Sequence, residues 1–290
     1  MRESKGDRAF KAFTVFLVVL VAACCLFPFL YIVSVSFSNK TAVLRSEVFL
    51  WPVDFDLSAY RAVFNNRSLM TSMWFTIFLT IATTLISLLM TVLCAYPLAK
   101  SDLRFKTPLL LLVMFTMYFS GGMIPSYINI KNLKLLNTFW ALILPGCLST
   151  YNMILMKSFF QSMPKEIEES AFVDGANDAV VLVRIILPLS KAMLATIALF
   201  YAVGRWNGFM DALLYINDEK MYTIQVRLRQ LIQSSQVSAL MEDIPEIKSD
   251  VIAETIKAAC LVFSMIPVMI LYPWLQKYFV KGVMIGSVKG

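Results

Sequence analysis

Five carboxylates, Glu166, Glu168, Glu169, Asp174 and Asp178, crowd the segment Ser162–Asp178 of a chain whose net charge is +7. They have no catalytic company. The chain contains no histidine, which removes the commonest general base and metal ligand, and with it a zinc site or a Ser-His-Asp triad. No glycine is followed by lysine, so the G-x-x-x-x-G-K-[ST] loop that cradles nucleotide phosphates is absent. The serines, aspartates and lysines elsewhere are too dispersed to nominate a nucleophile with its base. What the acidic segment can offer is a surface to be recognised.

Local signals give that surface a shape. Ser162 can cap a helix and Pro164 suits its first turn. Glu166, Glu168 and Glu169 then fall where the helix dipole favours negative charge. Ile167, Ala171 and Asp174 share one face by i, i+4, i+7 spacing, with Phe172 and Val173 adding apolar surface beside it. Gly175 is the expected stop, because a left-handed position costs it little. Asn177 or Asp178 can cap the next helix. A helix exposing glutamates and apolar residues together suits a protein groove better than an anionic membrane surface.

The elements around this segment are set by hydropathy. Hydrophobic residues make up 59% of the chain, charged residues only 16%, and mean hydropathy is +0.71, too little polar surface to cover a globule in water. The positive charges are scattered and form no basic stripe, so nucleic acid is excluded as a partner. Six apolar stretches reach bilayer length, near Ala12–Val35, Leu69–Pro97, Thr107–Ile124, Phe139–Phe159, Ile185–Val203 and Thr255–Tyr272. Each reads as a helix, because backbone groups in lipid must be satisfied internally. The first follows Arg2, Lys5, Arg8 and Lys11 as a secretory signal would, but its apolar run continues past Cys24. It therefore reads as a membrane helix and not a processed signal.

Six spans put both termini on one side. The basic loop Lys100–Lys106, the connection Lys157–Arg184 and the tail lysines Lys277, Lys281 and Lys289 share it, which makes it the cytoplasmic side. The outer side receives two long polar segments, 36–68 and 205–254. Trp51, Tyr60, Trp74, Trp140, Trp206 and Tyr222 fall near span ends as interfacial anchors. Lys191 is the one clear ionisable residue inside a span and reads as snorkelling, so a proton-coupled carrier would lack its buried carboxylate. Cys24, Cys25, Cys94, Cys147 and Cys260 all lie in apolar stretches and read as small buried hydrophobes.

One pattern in the acidic segment resembles a family. Glu169-Ser170-Ala171, Asp174-Gly175-Ala176 and Ile185-Ile186-Leu187-Pro188 are similar to the E-A-A-x-x-x-G … I-x-L-P loop of binding-protein-dependent ABC importer permeases, with Ser170 replacing the usual alanine. Trp206-Asn207-Gly208-Phe209 resembles the W-N-x-F element of the carbohydrate-uptake branch. Phe119–Pro125, Leu144-Pro145-Gly146 and Tyr151-Asn152 look like a subgroup of that branch associated with oligosaccharides and polysaccharide fragments. The resemblance implies an all-α fold, a polytopic membrane protein of six transmembrane helices with type I ABC importer permease (MetI-like) architecture. It implies one permease domain over residues 1–290, with its core at about 69–275.

The resemblance also implies partners and roles. Residues 162–178 would hold a cytoplasmic coupling helix whose Glu168, Glu169, Ala171, Asp174 and Gly175 engage the ATPase, while Pro188 relaxes the fifth span. The partners would be a second permease subunit in a heterodimer, two copies of an ABC ATPase subunit and an extracytoplasmic solute-binding protein, in a bacterial cytoplasmic membrane. ATP and Mg would bind the partner ATPase, leaving this chain without a cofactor, a metal site or a catalytic residue. A sugar path should present aromatic faces and neutral hydrogen-bonding groups, for which Tyr118, Tyr127, Tyr151, Asn152, Trp206 and Asn207 are the candidates. An importer of the same architecture for a non-sugar solute, and an ion-coupled carrier, are the competing readings.

Overall fold

The computed structural model describes residues 5–100, 103–240 and 254–287. Residues 241–253 of the long outer segment, like Arg2 and Lys289, lie outside the described residues. In chain order the α-helices are α1 (Lys5–Ser36), α2 (Lys40–Leu44), α3 (Ser58–Asn65), α4 (Arg67–Ala99), α5 (Lys106–Tyr118), α6 (Met123–Asn132) and α7 (Thr150–Gln161). They continue as α8 (Lys165–Val173), α9 (Asp178–Val181), α10 (Leu187–Leu189), α11 (Lys191–Asn207), α12 (Met210–Tyr215), α13 (Ile224–Leu240) and α14 (Glu254–Ser287). Short 3-10 turns occupy Phe139–Leu142 and Leu144–Gly146, and a π-helical turn at Leu182–Ile186 joins α9 to α10.

Three stretches are single helices long and apolar enough to cross a membrane: Gly6–Ser36, Arg67–Ala99 and Glu254–Tyr272. The other three expected spans are broken. α5 and α6 meet at 115°, the turns at 139–146 meet α7 at 52°, and Asp178–Leu189 meets α11 at 83°. Counting each bent pair as one crossing restores six, but the third, fourth and fifth are not the straight rods that hydropathy suggests.

Each break has a local cause. Gly122 takes φ +87°, a left-handed conformation that side chains resist, and Ser120 and Ser126 bond its backbone N–H and C=O. Pro145-Gly146 interrupts the fourth crossing. In the fifth, Pro188 lacks a donor, and Ser190 ends the run with its Oγ donating to Ile186 O at 2.6 Å.

The chain forms two compact units. One comprises Met1–Met70 with Arg227–Ile266. In it Val35, Ala42, Val48 and Ala258 form a small core, Phe37 stacks on Phe55, and the Ser36 and Tyr60 hydroxyls are 2.8 Å apart. Tyr60 is therefore half-buried structure and not a free headgroup anchor. α1 is exposed along nearly all its length, so Cys24 and Cys25 are exposed on an uncovered helix and only Cys260 is buried, a correction to the buried-cysteine expectation.

The other unit, Thr71–Val226 with Pro267–Gly290, carries the main core. Val92, Ala95 and Tyr96 of α4 pack with Met153, Met156 and Phe160 of α7, Ala171 of α8, and Ile197 and Tyr201 of α11. Lipid is as apolar as these side chains, so close packing, not escape from water, holds them together. α4 is built for closeness. Ser72, Thr76, Thr80, Thr83, Ser87 and Thr91, spaced three or four apart, fall on one face and are all buried. Among the expected anchors here, Trp74 and Trp140 are exposed, whereas Trp206 is only 6% exposed and belongs to the interior.

Candidate functional site

Two places in the second unit bring polar groups together. The first is the acidic elbow. α8 does not begin as its sequence suggests: Ser162 ends α7, its hydroxyl bonding back to Phe159 O, and Pro164 holds the N-cap position with no side-chain cap. Acidic Glu166 and Glu168 in the first turn favour the helix dipole regardless. Ala171 alone is buried, seated on the main core. Ile167 and Glu168 are half-buried, and Glu166, Glu169, Ser170 and Val173 face outward.

The helix stops where glycine permits. Gly175 takes φ +82°, its N–H donates to Phe172 O, and Ala176 N–H donates to Ala171 O, the paired bonds of a Schellman ending. Asp174, exposed, sits at the C-cap. Asn177 Oδ1 then accepts from Val180 N at 2.9 Å and starts α9. Between α8 and α9 the chain turns within four residues. Pro188 lies beyond, exposed, two residues after the π-helical turn.

Lys100, directly after α4, reaches into this elbow. Its Nζ bonds Glu168 Oε2, lies 3.2 Å from Asp178 Oδ1, and stands 4.7 and 5.0 Å from the ring centroids of Tyr96 and Phe172. Burial alone would lower its pKa. The bond to Glu168 and the nearby Asp178 carboxylate outweigh that and hold the amine above the ordinary lysine range.

The second place is a cavity of about 530 Å³ between α4, the turns at 139–146, α7, α11 and α12. Its wall includes Thr83, Ser149, Tyr151, Asn152, Tyr201 and Arg205. The Tyr201 hydroxyl accepts from Ser149 N at 2.9 Å and lies 2.7 Å from Thr91 Oγ1, which fixes the phenol across two helices. Arg205 closes on itself electrically: both its terminal nitrogens bond Asp211, and one also donates to Leu142 O at 2.9 Å. The pair leaves the wall without net charge. Asn152 is 5% exposed, and the Thr83 hydroxyl and Arg205 Nε are unpartnered. Neutral donors and acceptors beside an aromatic face can bind a polar, uncharged part of a solute. The volume lies within the roughly 300–1,000 Å³ of ligand pockets.

Of the six path candidates, Tyr151 and Asn152 line this cavity. The other four do not. Tyr118 ends α5, 73% exposed; Tyr127 stacks on Tyr215 in a separate core; Trp206 lines a small apolar crevice with Thr80 and Pro267; Asn207 Nδ2 bonds its own helix at Val203 O. Sequence reasoning missed Thr83, Tyr201 and the Arg205–Asp211 pair. The Ser/Thr period along α4 was a usable signal for the first. Arg205, assigned to the outer segment, lies inside α11, which runs on to Asn207. Among the described residues no cluster of side chains could hold a metal ion.

Comparison with known proteins places these features in company. Residues 102–285 match the family described as binding-protein-dependent transport system inner membrane component. Protein LplC of Bacillus subtilis (strain 168) is 44% identical, over 100% of this chain and 98% of its own length. The polygalacturonan/rhamnogalacturonan transport system permease protein YtcP of the same strain is 43% identical over 94% and 95%. A chain from the crystal structure of a bacterial ABC transporter involved in the import of the acidic polysaccharide alginate superposes with TM-score 0.87 at 37% identity, covering 96% of this chain and 99% of that one.

Proposed function

We propose a task for a chain that belongs to the family of binding-protein-dependent transport system inner membrane components: it is the membrane-spanning permease subunit of an ATP-driven importer for carbohydrate, an oligosaccharide or polysaccharide fragment. The observation that carries the sugar reading is the uncharged, hydroxyl- and amide-lined cavity with its one ion pair closed internally. The relatives named for glycan transport support it. Family membership sets aside the ion-coupled carrier.

The mechanism follows from how the parts are joined. This chain is a transport subunit and not an enzyme; ATP and Mg are held by two copies of a partner ATPase. α8 seats in a cleft of that ATPase, presenting Glu169 and Val173 outward while Ala171 stays on the core. Closure of the ATPases pushes α8. The elbow at Gly175 passes the push to α9 and the fifth crossing, whose π-turn and Pro188 let it bend without breaking a full hydrogen-bond ladder. That crossing carries Tyr201 and Arg205, so the cavity wall moves with it. A solute-binding protein outside delivers the glycan, and a second, different permease completes the pathway. Both termini lie in the cytoplasm of a bacterial cell.

Reconstitution of the whole importer in proteoliposomes tests this. Uptake of labelled oligosaccharide should require ATP, the ATPase and the binding protein, and Glu169→Lys should abolish uptake while leaving membrane insertion normal. Uptake of a peptide or amino acid in place of a glycan would sink the sugar reading. Native uptake by Glu169→Lys would sink the assigned role of α8.

A further inference from the structure

The elbow at Gly175 presents a mechanical difficulty. A left-handed glycine with open space around its α-carbon is the most pliable backbone available, yet a pushing helix needs a stiff connection to what it pushes. The two Schellman bonds and the Asn177 cap define the turn, but each is local to one side of it or to the loop itself. Ala171 of α8 and Val181 of α9 also share the main core, and among the described residues one polar side chain reaches both arms. Lys100 bonds Glu168 in α8, before the glycine, and Asp178 at the start of α9, after it.

The surroundings make this contact firm. The Lys100 side chain is 19% exposed and Glu168 25%, so that pair is partly shielded from water and counter-ions, while Asp178 is 71% exposed and its pairing is the looser of the two. A charge-assisted bond in that setting is stronger than a neutral one. Tyr96 and Phe172 place aromatic faces on the ammonium from the α4 side and the α8 side. Lysine also follows the last turn of α4, where a cation is favoured, while its two carboxylate partners stand in the first turns of α8 and α9, where anions are favoured. Three helix ends converge on one ammonium. Lys106 adds support from the neighbouring helix, its Nζ donating to Lys100 O at 2.5 Å.

We infer that Lys100 is the positioning residue of the coupling elbow: it locks α8 and α9 at a fixed angle and ties both to the cytoplasmic end of α4. A push on α8 is then delivered to two crossings as one rigid piece and is not lost in rotation about Gly175. This rests on the reading of α8 as the ATPase contact and adds to it the element that makes the contact effective.

The test uses the complete importer, with its second permease, ATPases and binding protein, in proteoliposomes, and reads solute taken up per ATP hydrolysed. Lys100→Met should keep ATP hydrolysis and lower that ratio about fivefold, the scale on which losing a charge-assisted contact shifts a two-state balance. Lys100→Arg, which keeps the charge and the reach, should restore most of it. The double variant Glu168→Gln with Asp178→Asn removes both partners and should reproduce Lys100→Met, and it carries the test if Lys100→Met does not assemble. A lysine that only stabilised the fold would lower the melting temperature and leave uptake per ATP at the native value; that result overturns the inference. Gly175→Pro separates the two levels. If it uncouples uptake while Lys100→Met does not, the lock is wrong and the coupling reading stands. If neither uncouples, the coupling reading itself fails.

Discussion

The elbow and the cavity are both polar places in an apolar protein, and they treat polarity in opposite ways. At the elbow, Lys100, Glu168, Asp178, Asn177 and the backbone of Gly175 are all partnered within the chain. In the cavity, charge is closed off between Arg205 and Asp211, and what remains open is the Thr83 hydroxyl and Arg205 Nε, with the Asn152 amide on the same wall. A group that already has its bonds can transmit force but cannot exchange partners. A group without them can accept a passing solute but holds nothing still. The same chemistry is used for stiffness in one place and for exchange in the other.

The comparison can be broken by moving each place toward the other's character. The largest effect is expected at the elbow. Gly175→Pro cannot reach φ +82° and loses the N–H that bonds Phe172 O, a cost of about 3 kcal/mol or more, so transport assays should show uptake lost altogether. Next comes Asp211→Asn. Arg205, whose side chain is 8% exposed, would keep its charge and its bond to Leu142 O but lose its partner, whose own side chain is 32% exposed, and thermal unfolding in detergent should report a loss of about 1–3 kcal/mol. A neutral wall matters less for stability than for affinity. Tyr151→Ala should raise the half-saturating glycan concentration about tenfold, the scale of one lost aromatic face, with uptake per ATP unchanged.

The smallest expected effect is a null that sharpens the contrast. Because the folded-state pKa of Lys100 is raised, its stabilisation is fully present below the unfolded value of about 10.4 and is lost only as pH rises through the folded value. Raising the pH from about 7 to about 9 should therefore leave uptake per ATP unchanged. An alkaline loss of coupling in that window would mean that Lys100 is not held as described.

Much of this was legible in the sequence, and what escaped it escaped for physical reasons. Hydropathy reports that a stretch is apolar and says nothing of its direction, so it found six crossings and missed that Ser120-Gly121-Gly122, Pro145-Gly146 and Ser190 turn three of them. The elbow was readable because its signals are local: a glycine needing φ > 0 and an asparagine cap act within four residues. The Ser162 cap failed for the same reason in reverse, since the preceding helix claimed that residue first. Lys100 with Glu168, Tyr201 with Thr91, and Arg205 with Leu142 lie 68, 110 and 63 residues apart, and no spacing rule reaches that far. Of the sugar-path candidates, the two kept by the cavity came from the head of α7, while Trp206 was drawn inward by its own bulk.

The buried face of α4 has a consequence of its own. From Ser72 to Thr91 a stripe of small hydroxyl side chains runs beside the larger buried Met73 and Leu79; Thr76 bonds Ser72 O and Ile224 N, Thr91 lies against the Tyr201 hydroxyl, and Ser72, Thr80, Thr83 and Ser87 are unpartnered. Large interlocking side chains act as gear teeth, and parting them by one step costs their packing. A stripe of small hydroxyls has no such teeth of its own, and four of its hydroxyls are left without a partner. Along this stripe α4 lets neighbouring segments come close, while Leu79 and Met73 beside it supply the interlocking that fixes where they sit.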